Sequence, residues 1–570
     1  MDNTKDKTES KVENLEQVPK ELPKADEIKK ENSISNQNKG KIEYNKTVEN
    51  LPKETEVPKT EKQDDIPITD RSDVCKIDTD RDIEENLGRN KEEEDEIRVN
   101  VKSEALETEK KEEEEEAPQA KIRWGRLLSQ MLNISIGYYV FGYEVGVFNS
   151  IQGNVAFDLN WTGTDEKTYV TIVSVMIAIG AVFGAAVSGK VTAAVGRKWA
   201  FIIFDCIMIV GISITFIANT AAMIIGRFIC GFSVGAYVAL TPLFIHEIMP
   251  DKYIGYGSAL YNIAFNVGLI SAFGLGNNVA PTDQPDLVWW RVMYFFPGIF
   301  VVLNIILFLG VFKFDSPKHL LQEGDHEGCV DAYRDIYYDE EEIKVVVKAL
   351  EDHLHKKQKE AEEYTFKVLC SARFAKQLLL GIVLMLGIQF CAINVFNYYS
   401  TSIFLKTMPL KEATLFTSML GVGQLAGSII SIFIFGKFSK KKTVLAGYGI
   451  LFGILFIVSI LAYTNNTDPI KYLMIIFFLD FGATIFTSFE IQAEILPDIG
   501  LGVLGFVHWL VNVVVVLTLP YMLASVLDFQ WTIMIYAGLL LVIIIYIAIF
   551  YKESHGKTLN EVEEIYKTWL

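Results

Sequence analysis

The residues best suited to chemistry are ionisable side chains that stand inside apolar stretches. The segment 226–250 is apolar enough to lie in a membrane, yet it carries Arg227 near its start and Glu247 near its end, and Glu144 stands in a similar stretch. An ionisable residue in a spanning helix is costly, so it normally faces the protein interior and has a function. A buried carboxylate beside an arginine stays ionised, and one that loses that partner tends to take up a proton. These residues indicate buried ion pairs, which either couple to protons or serve structure alone.

Other kinds of chemistry lack the residues that they need. The six cysteines form no CxxC pair, and no histidine stands at ligand spacing, so neither a metal site nor a disulfide framework is predicted. A phosphate-binding loop of the GxxxxGKS/T form does not occur, which argues against transport driven by ATP. We therefore expect no cofactor, no metal and no covalent catalysis, and the protein is not predicted to be an enzyme.

From residue 127 onward the chain is a series of apolar segments, each near the roughly 20 residues that a bilayer requires. A first group of six lies at about 127–150, 168–189, 199–219, 221–246, 255–279 and 289–312. A second group follows at about 376–404, 413–436, 443–464, 470–494, 503–527 and 531–551. The sequence thus predicts an all-α membrane protein with 12 transmembrane helices in two six-helix bundles.

Basic residues mark one side of the predicted membrane. An even number of spans puts both termini on one side, and Arg126, Arg197 and Lys440 flank the spans there. By the positive-inside rule this side is the cytoplasm. Asn160 and Asn465, each the first residue of an Asn-x-Thr triplet, then lie in outward loops and are predicted glycosylation sites.

The first 120 residues differ in composition from the rest. They hold 22 lysines and arginines against 36 aspartates and glutamates, and so carry most of the net charge of −18. With few aromatic residues this segment cannot bury a core, and we predict a disordered acidic cytoplasmic tail. Its acidity argues against nucleic acid as a partner. The tail either binds protein partners that the sequence does not identify or is simply solvated.

The two predicted halves resemble each other. The sequence Glu-Ile-Met-Pro at 247–250 closes the fourth span, and Glu-Ile-Leu-Pro at 494–497 closes the tenth. Basic loops at 196–198 and 439–441 follow the second and the eighth span. Two bundles repeated in parallel, with a site between them near the midplane, are the architecture of secondary transporters that rock between two states.

Five segments resemble motifs of the sugar porters of the major facilitator superfamily. They are GYEVGVFN (142–149), the stretch 226–250, FDSPKHLL (314–321), IQFCAINVFNYYSTSIF (388–404) and YKESHGKTLNEVEEI (551–565), in the family's order. The resemblance covers about residues 121–560, and on it the chain is identified as a divergent member. It implies the major facilitator fold and a glucose-like hexose as the substrate.

Departures from the family pattern lie in motifs too. The loop after the second span is reduced to GKVTAAVGRK (189–198), with alanines where the family has charges. In the seventh span, Ile388 replaces the first of two glutamines and Ala392 replaces a glycine, and Phe489 stands about where the family often has tryptophan. We expect the substrate preference to have diverged as well.

A sugar presents a ring of hydroxyl groups, so its site needs amides that donate and accept and a flat aromatic face. Amides occur in three predicted spans, and by resemblance they fall at or near the family's sugar-binding positions. An HWxxN pattern in the eleventh span and the phenylalanine of the tenth span add aromatic candidates. The predicted substrate-binding residues are Gln389, Asn394, Asn262, Trp509, Asn512, His508 and Phe489. Buried amides that only join helices are the alternative.

Glu144 and Arg227 are the predicted proton-coupling residues. At about 1.5 Å per residue, each lies roughly 9 Å inside the outer end of its span, so the two can meet. In the family, proton-coupled members carry an aspartate at the position of Glu144 and facilitative carriers carry an asparagine. The resemblance therefore favours a proton symporter, and a uniporter with a structural ion pair is the alternative.

Charges at the cytoplasmic ends of several spans resemble the family's inner-gate salt-bridge network. The predicted members of this inner gate are Glu247, Glu494, Arg197, Lys437, Lys440 and Lys441. Such a network holds the outward-open state and breaks on rocking. Charges that only set the topology are the alternative.

The sequence thus predicts a secondary transporter that moves a hexose-type sugar by alternating access. Its predicted domains are the tail 1–120, the N-terminal bundle 121–313, a cytoplasmic helical linker 314–375, the C-terminal bundle 376–552 and a cytoplasmic tail 553–570. The expected partners are a sugar, protons and the lipid bilayer, and the expected location is the plasma membrane. The alternatives are a uniporter, a non-transporting sugar receptor, and a carrier of the same fold for another polar solute.

Overall fold

The structure is a computed structural model that describes residues 121–280, 287–434, 437–555, 557 and 559–567. The predicted acidic tail 1–120 lies outside these residues. In the described ranges the regular secondary structure is helical, apart from one antiparallel bridge between Ile122 and Tyr337. This agrees with the predicted all-α class.

Helices α1 to α6 form the first half: Trp124–Asp158, Thr164–Val195, Arg197–Thr215, Thr220–Ile248, Ile254–Gly276 and Trp289–Gly310. Helices α7 to α10 connect the halves: Pro317–Gln322, His326–Arg334, Glu340–Glu363 and Phe366–Leu369. Helices α11 to α18 form the second half: Ala375–Phe390, Ile393–Phe404, Leu410–Ile434, Lys440–Tyr463, Ile470–Thr484, Phe486–Ile495, Asp498–Leu523 and Asp528–Phe550. A last helix, α19, covers Leu559–Lys567.

Eleven helical stretches of the described residues are long and apolar enough to cross a membrane; α11 with α12, and α15 with α16, each count as one stretch. Helix α1, which contains the predicted first span, is not among them although it has 35 residues. It buries polar side chains such as Asn133, Glu144 and Asn149, which lower its hydropathy. Below, the ends of helices that carry Arg126, Arg197 and Lys440 are called inner ends, and the opposite ends are called outer ends.

The helices pair in the same way in both halves. Helix α1 packs on α5, α2 on α4 and α3 on α6. In the second half α11 packs on α17, α13 on α15 and α14 on α18. The halves meet where α5 packs on α13, α2 on α17 and α1 on α12. The predicted repeat is therefore present in the packing, and it leaves a central interface to which both halves contribute.

Two glycines allow α1 and α5 to approach at backbone distance. A Cβ atom at Gly142 would overlap the backbone carbonyl of Phe265, and one at Gly268 would overlap that of Tyr139. Small residues at helix crossings are a usual way to pack helices in a membrane. Because the obstacles are backbone atoms, the two helices cannot accept a larger residue here without separating.

We expect Gly268→Val to destabilise the folded protein by about 2 kcal/mol or more, since overpacking typically costs 1–3 kcal/mol and backbone atoms cannot move aside. Gly274→Val in the same helix is the control, because a Cβ atom there meets nothing within 4 Å. Thermal unfolding of both variants in detergent, monitored by size-exclusion chromatography, measures the difference in their stability. Equal melting temperatures for the two variants would contradict the close approach.

The chain after α18 folds back onto the inner end of the second half. In α19, Val562 and Tyr566 are buried, and Glu563 pairs with Arg373, which precedes α11, at 2.8 Å. The Lys376 Nζ donates to the carbonyl of Tyr566 at 3.2 Å. The predicted cytoplasmic tail 553–570 thus contains a helix docked on the bundle, which an amphipathic stretch of nine residues does not reveal by itself.

Protonation of Glu563 is expected to weaken this docking. Burial raises the pKa of its carboxyl, but hydrogen bonds from Arg373 and Lys567 outweigh burial and hold that pKa below the ordinary value. A lowered carboxyl pKa stabilises the fold above the unfolded pKa, near 4.3, and this stabilisation is lost as pH falls through the folded pKa. Wild-type docking should therefore persist from neutral pH to about pH 4 and weaken below it.

Hydrogen exchange of residues 559–567 at neutral pH tests this contribution without acid. Glu563→Gln should raise exchange there, because the charged partner of Arg373 is removed. Glu564→Gln is the matched control: its side chain is 69% exposed, and exposed pairs contribute little. If the two variants exchange alike, the Glu563 pair does not hold the helix.

Candidate functional site

Three predicted substrate-binding residues form one hydrogen-bonded network at the central interface. The Asn394 Nδ2 donates to the Gln389 Oε1 at 2.6 Å. The Gln389 Nε2 lies 3.3 Å from both ring nitrogens of His508 and donates to the His508 carbonyl at 3.3 Å. Because the Gln389 Oε1 accepts from Asn394, the NH₂ group of Gln389 faces the His508 ring. A ring nitrogen that bonds to this NH₂ group must act as the acceptor. The network therefore has a defined direction, from α12 through α11 to α17.

Aromatic rings extend this network across to the first half. The rings of Phe489 and Trp509 lie 6.1 and 5.6 Å from His508, between ring centroids. Trp509 is 5.9 Å from Phe141 of α1, which is 4.7 Å from Phe265 of α5. Aromatic faces of this kind can cover the C–H side of a sugar ring. Phe141 and Phe265 were not predicted, because aromatic residues are frequent in every span.

The break in the seventh span positions the network. Between α11 and α12, Ala392 has a φ of 70°, a left-handed conformation that costs a non-glycine residue roughly 1–2 kcal/mol. A broken helix within a bundle is tolerated where it lines a cavity. Here the break lets the Asn394 side chain reach back to Gln389, five positions earlier in the chain.

Two other predicted amides lie outside this network. The Asn262 Nδ2 donates to the Ser258 carbonyl of its own helix at 2.8 Å, which ties this amide to α5. Asn512 is buried one turn beyond His508, and its Oδ1 has no hydrogen-bond partner among the described residues. Asn266, which was not predicted, donates to the Ser428 hydroxyl of the second half at 2.9 Å.

Glu144 and Arg227 form an ion pair inside the first half. The Arg227 Nη1 lies 2.8 Å from the Glu144 Oε2, and both side chains have zero exposure. The same nitrogen donates to the Glu144 carbonyl at 3.1 Å. The remaining Glu144 Oε1 and Arg227 Nη2 have no hydrogen-bond partner among the described residues. The opposite charges of Glu144 and Arg227 thus compensate each other inside the protein, and each side chain keeps one polar atom without a hydrogen-bond partner among the described residues.

The outer ends of the two halves are joined by a group of polar residues that we call the outer clamp: Asn149, Gln152, Ser400, Thr401 and Ser402. The Asn149 Nδ2 donates to the Ser400 hydroxyl at 2.8 Å, and its Oδ1 accepts from the Thr401 backbone at 3.2 Å. The Gln152 Nε2 donates to the Ser402 hydroxyl at 2.6 Å. The sequence signal was available, since Asn149 ends the motif that contains Glu144.

The predicted inner-gate residues separate into two clusters. In the first half, Arg197 makes a bidentate pair with Glu247 at 2.7 Å for each bond, and Glu247 also accepts from the Ser316 hydroxyl at 2.5 Å. Asp315 accepts from the backbone of Arg197 at 2.9 Å, at the start of α3. Charge-assisted bidentate pairs of this kind are strong and directional.

The second cluster lies at the inner end of the second half. The Lys440 Nζ lies 2.7 Å from the Glu494 Oε1 and 3.3 Å from the Glu490 Oε2. Glu494 also accepts from the Ser554 hydroxyl at 2.7 Å, and the Lys441 Nζ donates to the Tyr551 carbonyl at 2.6 Å.

The predicted inner-gate residues are therefore divided between the halves in this conformation, and their role as a gate stays a prediction. Arg197 pairs with Glu247, and Lys440 pairs with Glu494, each within its own half. Lys437 is exposed and has no ion pair among the described residues. The physical reason is that the outer clamp joins the halves at their other ends. Asp315, Ser316 and Ser554 were missed although they lie in recognised motifs, because motif letters do not show which side chains meet.

The predicted glycosylation sites, Asn160 and Asn465, are exposed in the loops that follow α1 and α14. Their modification remains a prediction. No group of three or more metal-ligating side chains occurs within the part of the chain that the structure describes.

Comparison with known proteins places this arrangement in context. The family described as Sugar (and other) transporter matches residues 130–566. The glucose transporter GlcP of Staphylococcus epidermidis is 27% identical over 445 residues, which cover 75% of this chain and 95% of that protein. Hexose transporter 1 of Plasmodium knowlesi is 25% identical, covering 75% and 90%. The major myo-inositol transporter IolT of Bacillus subtilis is 25% identical, covering 76% and 93%.

Solved structures show the same fold. The proton:xylose symporter XylE of the major facilitator superfamily, bound to 6-bromo-6-deoxy-D-glucose, superposes with a TM-score of 0.64 at 20% identity, covering 77% of this chain and 99% of that one. The partially occluded inward-open conformation of XylE from E. coli gives a TM-score of 0.63, covering 76% and 100%. At this identity the likeness concerns the fold, which is that of the major facilitator superfamily.

Proposed function

This chain belongs to the Sugar (and other) transporter family, and we propose that it carries a hexose-type sugar across a membrane by alternating access. The observation that carries this proposal is the network of Asn394, Gln389 and His508 beside Trp509 and Phe141, at the interface of the two halves. Amides, an imidazole and aromatic faces match the hydroxyl groups and the C–H face of a sugar. Curated relatives that transport glucose and other hexoses support the choice of substrate.

The structure suits the state in which the outer side is closed. The outer clamp joins the halves at their outer ends, whereas Arg197 and Lys440 make their ion pairs within separate halves. In the opposite state the clamp would open and the inner clusters would approach each other. Alternating access of this kind is a rocking of two rigid halves around a fixed site.

For the mode of transport we propose proton symport through Glu144 and Arg227. The pair is fully buried, joins α1 to α4 and is separate from the sugar network, so rearrangement of the first half can change it. A structural neighbour is a proton:xylose symporter, which supports this choice. The alternative is a uniporter in which the pair only holds the two helices together.

The remaining features of the proposal concern the whole chain. We propose 12 spans, with α1 as the twelfth beside the eleven apolar stretches, both termini in the cytoplasm and location in the plasma membrane. The proposed domains are those predicted from the sequence, with an acidic cytoplasmic tail at 1–120 and glycosylation at the outward loops. We also propose that this tail binds protein partners.

A second candidate substrate is a cyclitol such as myo-inositol. Such a ring also presents hydroxyl groups on all sides, and a curated relative transports myo-inositol. The replacement of amide and indole side chains by His508 and Phe489 changes the hydrogen bonds that the site offers. A sugar receptor that does not transport remains an outcome of the test below.

Radiolabelled uptake into proteoliposomes tests these proposals together. Glucose uptake that unlabelled hexoses suppress more strongly than myo-inositol supports the hexose carrier, and the reverse order supports the cyclitol. Acceleration by an inward proton gradient supports symport, and indifference to the gradient supports a uniporter. Absence of uptake by well-folded protein that still binds glucose would indicate a receptor.

A further inference from the structure

A cavity of about 580 Å³ lies at the outer end of the molecule, apart from the sugar network. This volume is typical of small-molecule sites, which range over roughly 300–1,000 Å³. Along α1, Phe141 contacts the network, Asn149 belongs to the outer clamp, and Asn154 lines the cavity. Phe141 and Asn154 are separated by about 20 Å along the helix axis. The closed clamp therefore lies between the cavity and the network.

The lining of the cavity comes from both halves. From the first half it includes Gln152 and Asn154, and from the second half Thr401 and Ser402, of which all but Asn154 also belong to the outer clamp. Amide and hydroxyl groups thus surround a space that is large enough for a sugar ring.

The charges at this cavity argue against a strongly anionic ligand. Glu166 lines it together with Lys167 and Lys406, so the signs are mixed. The Lys167 ammonium lies 5.5 Å from the ring centroid of Tyr521, and the Lys406 Nζ is 3.9 Å from Asp528. Both cations thus already have favourable neighbours. Neutral donors and acceptors beside apolar residues such as Leu523 suit a neutral polyhydroxylated ring.

We propose that this cavity is a second site for a neutral hexose or cyclitol, filled from outside while the outer clamp is closed. The identity of the ligand rests on the proposed function. Because both halves contribute to the lining, a bound ring contacts both and favours the closed state over the open one. A ligand shifts a conformational equilibrium by its differential affinity for the two states. Sugar in the outer cavity therefore slows reopening toward the outside.

The consequence is inhibition of uptake by high concentrations of external sugar. When external sugar equals the Kd of the cavity, half of the closed molecules are occupied, so uptake limited by reopening falls about twofold. We expect initial glucose uptake into proteoliposomes to rise, pass a maximum and decline as external glucose increases.

Asn154→Leu removes an amide from the lining without touching the clamp or the network. This variant should abolish the decline and leave uptake at low glucose within about twofold of wild type, since Asn154 lies about 20 Å along α1 from the network and sites this far apart act nearly independently. Asn133→Leu removes an equally buried amide from α1 outside the lining, so it is the matched control and should keep the decline. A wild-type curve that only saturates, or a decline that survives in Asn154→Leu, would overturn the second site and leave the carrier function standing.

Equilibrium dialysis with labelled glucose separates this proposal from the proposed function. Wild-type protein should show two classes of glucose site, and Asn154→Leu should show one. A single class in wild type overturns the cavity site even where transport is measured. Two classes in a protein without transport would support the cavity site and refute the carrier.

Discussion

Glu144→Gln is expected to abolish proton-driven accumulation of sugar while downhill uptake continues. Glutamine has the shape of glutamate and can still accept a hydrogen bond from Arg227, which lies 2.8 Å away in wild type. It carries no titratable group, so a proton can no longer bind at this point of the transport cycle. An inward gradient of one pH unit can support about tenfold accumulation in a one-to-one symporter, and this ratio should fall to about one.

Glu144→Gln is also expected to lower the stability of the folded protein, and a second variant separates this effect from the effect on transport. Removing one partner of a buried ion pair typically costs about 3–5 kcal/mol, because the other charge stays buried without compensation. Glu144→Gln combined with Arg227→Gln removes both charges and should recover most of the lost stability. The double variant should still fail to accumulate sugar.

Proteoliposomes with an imposed pH gradient give the accumulation ratio, and thermal unfolding gives the stability. Accumulation that persists in Glu144→Gln would show that the proton binds elsewhere. Wild-type uptake that ignores the gradient would show that the pair is structural and that the carrier is a uniporter.

The second large effect is expected from Gln389→Leu. Gln389 is fully buried, accepts from Asn394 and faces His508, so its amide organises both neighbours. Leucine fills a similar volume but leaves the Asn394 amide and the His508 ring without their partner. A site built to bind hydroxyl groups loses affinity steeply when its buried polar groups lack partners, and we expect kcat/KM for glucose to fall by about 100-fold.

Helix α11 offers a matched control for this substitution. Gln377 is 1% exposed, and neither of its side-chain polar atoms has a hydrogen-bond partner among the described residues. Gln377→Leu removes a buried glutamine from the same helix, away from the network, and should leave transport unchanged. Replacing a buried amide that lacks hydrogen-bond partners by an apolar side chain also removes the free-energy cost of leaving its polar atoms unsatisfied.

Concentration-dependent uptake by both variants, normalised to folded protein, gives the comparison. Asn262→Leu should have a smaller effect than Gln389→Leu, because the Asn262 amide is bonded to its own helix. If Gln389→Leu and Gln377→Leu transport alike, the hydrogen-bonded network is not the sugar site.

Some of the features behind these expectations can be read from the sequence, and others are visible only in the structure. The eleven apolar stretches follow from hydropathy, since a bilayer sets both length and composition of a spanning helix. Glu144 and Arg227 could be paired from the sequence, because both lie at the same depth in neighbouring spans and a buried charge requires a partner. Gln389 and Asn394 could be named from their motif.

Where the sequence left contacts open, the missing information was three-dimensional. Asn262 carries the same amide as Asn394, yet it bonds to its own helix, and a sequence does not show which way a side chain turns. The C-terminal segment reads as a polar tail, but α19 docks through Glu563 and Arg373, which lie 190 positions apart.

The sequence by itself determined the class of this protein: the apolar stretches, the ionisable residues inside them, the repeat of the halves and the family. These properties are local, since they depend on composition, length and spacing along one segment. Only the tertiary structure decided that Asn149 joins the halves at the outer end and that Arg197 and Lys440 belong to separate clusters. Such contacts depend on how two similar bundles face each other, and that arrangement differs between the states of a rocking carrier whose sequence stays the same.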